Sequence, residues 1–179
     1  METLVLKNFA IDAREQLLKH LSTQVERHDL TTKFNKNQIE TLACQWFIRL
    51  IVLRFLEVNN YQPGDLKVLS LDQDEGSNKV KVARLAALEL DFTPSENQLL
   101  WDLVKRNDSQ SIDKFHCFIL LRQCQKLAQI FPEIFGIEES FQSQLFDLSF
   151  YDPKGVIQRL INDIPRCYFD VNSDCGQVE

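Results

Sequence analysis

Glycine and proline are scarce in this chain, five of each in 179 residues, and that shortage already argues against an all-β fold, whose many tight turns draw on both. No two glycines lie within ten residues of one another. This excludes a glycine-rich loop that cradles phosphate and a glycine-flanked nucleophile elbow. The five cysteines (Cys44, Cys117, Cys124, Cys167, Cys175) form no Cys-x-x-Cys pair, and the expectation is a reduced, cytoplasmic protein with buried thiols. The most apolar run, 46–58, is 13 residues long and carries Arg49, Arg54 and Glu57. It is too short and too charged to cross a bilayer, and the start of the chain lacks the basic and apolar regions of a signal peptide. No membrane partner is expected.

Concentrated positive charge is also missing. The net charge is −6, and all of it falls between Glu133 and Glu179, where nine acids face three bases, leaving 17 of each sign elsewhere. Phosphate binding draws on a dense positive field, which the acidic last third does not offer. What the chain has instead is apolar bulk, 44% hydrophobic residues and 13 Phe, enough for a core without disulfide or metal support.

The apolar residues repeat at helical spacing. Leu6, Ala10, Ala13, Leu17, Leu21 and Val25 form one stripe over 3–27, and the polar run 31–37 is a loop in which Asn37 is placed to cap the next helix. Over 38–59 the residues are apolar around the whole wheel, as in the central helix of a bundle, with Arg49, Arg54 and Glu57 as the interruptions. Arg54 and Glu57 are three apart and can meet on the helix, because a buried charge must be paired. Tyr61-Gln62-Pro63-Gly64-Asp65 is a turn, and 66–71 reads equally as a short strand or an extended arm. Helices are expected over 79–90, from the capping box Thr93-Pro94-Ser95-Glu96 to 106, over 112–130 as far as Pro132, over 138–146, and from Asp152-Pro153 to 163. The fold class is mainly α. A single bundle of about six helices spans 1–165, with an irregular tail at 166–179.

The candidate chemical sites are thin. Asp72-Gln73-Asp74-Glu75-Gly76 has an acidic pattern, but glycine falls at position five of a calcium loop and alanine at position twelve, so it reads as a solvated loop. Cys117 and Cys124 are seven apart, about 10 Å along a helix, too far to share a metal, so with His116 they read as core thiols beside a partly exposed histidine. His20 and His28 lie on an exposed-looking helix. Residue chemistry assigns no catalytic, cofactor-binding or metal-binding residue to the chain.

The run Trp46-Phe47-Ile48-Arg49-Leu50-Ile51-Val52-Leu53-Arg54-Phe55-Leu56-Glu57-Val58-Asn59-Asn60-Tyr61 resembles the N-terminal helix of the PglX family, the adenine-specific DNA methyltransferases of BREX and phage-growth-limitation defence systems. Asn60 stands where that family often has glycine. Phe118 to Cys124, Val156 to Pro165, Phe169-Asp170-Val171 and Gly176 to Glu179 are similar in the same order. The resemblance implies a parent that methylates adenine in DNA with S-adenosylmethionine, of which this chain is the helical, non-catalytic N-terminal domain, the tail leading towards a methyltransferase domain that supplies the cofactor loop and the Asn-Pro-Pro-Tyr-type motif. The last residues break off in mid-pattern, as expected of a cut or truncated frame. Partners implied are that catalytic domain, DNA through the parent, and other defence proteins. Arg49, Arg54 and Glu57 are then either an internal ion network or an interface. The reading from a different class is a stand-alone helical binding module, or truncated paralogue, without catalysis.

Overall fold

The computed structural model describes residues 2–69, 79–106, 108–136 and 148–173. Among them are seven α-helices and no strand: α1 (Glu2–Arg27), α2 (Lys36–Val58), α3 (Lys79–Glu89), α4 (Pro94–Arg106), α5 (Ser109–Ala128), α6 (Pro132–Phe135) and α7 (Val156–Asn162), followed by a 3-10 turn at Arg166–Tyr168. The mainly helical expectation holds. The helix that the sequence did not predict is α6, which Pro132 opens at its first position, four residues after α5 ends at Ala128, since proline suits the first helical position.

α2 is the centre. It buries Trp46, Leu50, Leu53, Leu56 and Val58 and packs along α1, with α6 against its middle. α1 contributes Phe9, Ala13, Leu17, Leu21 and Val25, a stripe that departs from the expected one at its start. Phe9 replaces Leu6 and Ala10 because its ring sits 6.2 Å from Phe47, while Leu6 stays exposed. α4 and α5 pair closely, α3 lies on α4, and α7 rests on α1, where Arg159 bonds Asp12 at 3.1 Å.

Helix ends account for most differences from the sequence expectation. Asn35, not Asn37, caps α2, and its side chain and that of Gln38 bond each other's backbone N–H at 3.0 and 2.9 Å, a reciprocal box. α5 begins three residues earlier than expected because Asp108 accepts from the Ser111 N–H at 2.9 Å. α7 begins later: Asp152 accepts from the Lys154 N–H at 2.9 Å, a local Asx turn that competes with helix, so the cap passes to Gly155. Three residues with left-handed backbone follow helices, Asp29 (φ 53°), Asn60 (φ 54°) and Asp91 (φ 48°). With glycine scarce, the residue types that tolerate this region best serve as helix stops. After α1, Leu30 N–H donates to Val25 O at 2.8 Å and Asp29 N–H to Glu26 O at 3.1 Å, and after α2, Tyr61 N–H reaches Leu56 O at 2.9 Å. These are the six-to-one and five-to-two bonds of a Schellman ending.

Segment 66–69 is not a strand; it is an arm that buries Leu66, Val68 and Leu69. The tail is more ordered than expected as far as 173, with its 3-10 turn and a buried Phe169. Cys167 is disulfide-bonded, a correction to the expectation that every thiol is free, which holds for Cys44, Cys117 and Cys124. The expected helix at 138–146 and the acidic loop 72–76 lie outside the described residues. No helix among the described residues is long and apolar enough to cross a membrane.

Candidate functional site

The polar residues of α2 converge on irregular parts of the chain. Arg49 is 2% exposed. Its Nε donates to Ile134 O and its Nη2 to Gly136 O, both at 2.9 Å, and the guanidinium lies 5.1 Å from the Trp46 ring centre. The two carbonyls belong to the C-terminal end of α6, which carries the negative end of the peptide dipoles. They therefore hold the cation through partial negative charge. Gly136 completes the fit, since a Cβ there would lie 2.3 Å from Pro132 O. Nη1 has no hydrogen-bond partner among the described residues, and burial lowers the Arg49 pKa while Cys124 opposes that. Burial also pushes the Cys124 thiol up to about 12, so at neutral pH it is a neutral neighbour rather than a counter-ion.

Glu57 is 1% exposed, and its Oε1 accepts from the Leu69 N–H at 2.8 Å. Arg54 is buried as well, which lowers its pKa; Glu57 works against that and Arg166 adds to it. Arg54 thus lies in the field of both an acid on its own helix and a base from the 3-10 turn. Asn59, which sequence reasoning did not single out, ends the series. Its Nδ2 donates to Phe55 O at 2.8 Å and to Phe169 O at 2.5 Å, while its Oδ1 accepts from the Val171 N–H at 3.0 Å. Over about 15 Å of helix, Arg49, Glu57 and Asn59 hold residues 134–136, 69 and 169–171. The structure thus sets Arg49 apart, at residues 134–136, from Arg54 and Glu57, which act on each other.

A second clamp comes from α3. Glu89 accepts from the Asp65 and Leu66 N–H groups at 2.9 and 3.1 Å. Gly64, with φ +90°, makes room for it, since a Cβ there would sit 2.3 Å from Glu89 Oε2. Together Glu57 and Glu89 give the 64–69 arm the acceptors that a partner strand would give. The turn at 63–64 is visible in the sequence, but no local signal points 24 residues ahead to its acceptor.

His116 is buried, not partly exposed as expected. It stacks on Phe150 at 5.2 Å, and its Nε2 lies 2.8 Å from the Tyr151 hydroxyl. The Cys117 thiol donates to Leu148 O at 3.0 Å. No group of three metal-ligating side chains occurs among the described residues. An open pocket of about 220 Å³ lies between α1 and the start of α2, lined by Leu18, Val25, Phe34 and Ile39, below the usual ligand-site size of roughly 300–1,000 Å³. The described glycines in turns do not form a cofactor cradle either. Their Cβ positions are approached by Glu89, by Pro132 O and by Asp152 O, so their open side faces the protein's own atoms.

No family model matches this chain, and no solved structure matches it. It is 32% identical over 167 residues to the adenine-specific methyltransferase PglX of Lacticaseibacillus casei (strain Zhang), an alignment that takes in 90% of this chain and 13% of that protein. The helical unit is therefore related in sequence, nearly end to end, to one region of a much larger adenine-specific methyltransferase.

Proposed function

We propose that this chain is the helical, non-catalytic N-terminal region of a PglX-type adenine DNA methyltransferase, a parent that transfers a methyl group from S-adenosylmethionine to adenine and so marks host DNA against phage. The observation that carries the reading is the extent of the similarity, 90% of this chain against 13% of the relative: a whole helical unit is shared, not a short motif. The clamps support a scaffolding role. Their buried and half-buried polar side chains hold the chain's own irregular segments, which is how a helical body is given a fixed outline. Nothing in the described glycine turns fits S-adenosylmethionine, and no step of methyl transfer is assigned to these residues. Catalysis, cofactor, DNA and any contact with other defence proteins belong to the parent.

The test is to read the source gene past the codon for Glu179 and to assay its full product for methyl transfer to adenine in DNA. A frame running on into a glycine-rich strand-turn and an Asn-Pro-Pro-aromatic motif, with methyl transfer by the product, supports the reading. An immediate stop sinks it and leaves a helical binding protein.

A further inference from the structure

We draw no further inference here: the strongest candidate, the open pocket of about 220 Å³ between α1 and the start of α2, is an apolar hollow lined by Leu18, Val25, Phe34 and Ile39, and nothing in the structure shows what covers it.

Discussion

Arg49 shows what a single residue contributes when its charge rests on backbone carbonyls. Its two bonds to Ile134 O and Gly136 O use the planar, forked geometry of guanidinium, which a lysine ammonium cannot copy. Arg49→Ala removes both bonds to these part-buried carbonyls and leaves a cavity beside Trp46, and should cost about 3 kcal/mol. Arg49→Lys should recover less than half of that loss, read as the midpoint of urea unfolding at pH 7. A loss under ~1 kcal/mol for the alanine variant would mean the carbonyls find other donors. Cys124 gives an independent check of the same interior. A thiol held at about 12 and 1% exposed is neither ionised nor reachable at pH 8, so a disulfide reagent should label Cys44 in the native protein and Cys117 and Cys124 only after denaturation. Labelling of Cys124 at the rate of Cys44 would show that the Arg49 environment opens readily.

Elements were legible in the sequence where their signals are local. The all-round apolar wheel of 46–58 marked the central helix, and Thr93 with Glu96 marked the start of α4, where the Thr93 N–H donates to Glu96 at 2.8 Å. Caps set by competition were harder to read. Asn35 and Asn37 are both good cap types, and only the Gln38 partner decides for the first, while Asp152 spends its carboxylate on a turn. The clamps were not legible at all beyond the buried charges of α2, because Glu89 with Gly64 and Asn59 with Val171 are joined only by the fold. The helix stops allow a paired test. Asn60→Gly relieves a left-handed residue and should stabilise by about 0.5 kcal/mol. Gly64→Ala adds a Cβ at positive φ against the Glu89 carboxylate and should cost about 2 kcal/mol or more. Thermal unfolding of the two variants should therefore move in opposite directions, and a gain in Tm for Gly64→Ala would discard the Glu89 clamp.

For the whole molecule, the chemistry of its caps divides it into parts with different acid sensitivity. α2 is capped by Asn35 and Gln38, which do not titrate in the acid range. α4 and α5 are capped through carboxylates, Glu96 and Asp108, and Glu96 also bonds Arg122 across to α5, where the guanidinium lies over Phe92 and Phe92 stacks on Phe118 at 5.1 Å. Burial works to raise the Glu96 pKa, but the bonds from Thr93 and Arg122 outweigh it and the pKa is lowered; the Ser111 bonds lower that of Asp108. A carboxylate whose folded pKa is depressed stabilises the fold above its ordinary value of about 4 and loses that contribution as pH falls through the folded value. The caps of α4 and α5 should therefore weaken as pH falls, while the Asn35–Gln38 cap of α2 does not respond. The two tryptophans sit one on each side of this division, Trp46 in α2 and Trp101 in α4, so Trp46→Phe and Trp101→Phe give single-fluorophore proteins that report each part. On titration from pH 6 to about 2, the emission of Trp101 should shift first, and Glu96→Gln should flatten that early shift while leaving the Trp46 transition in place. Coincident transitions in both proteins would mean that acid unfolds the bundle as one cooperative unit and that the charged caps carry no separate share of its stability.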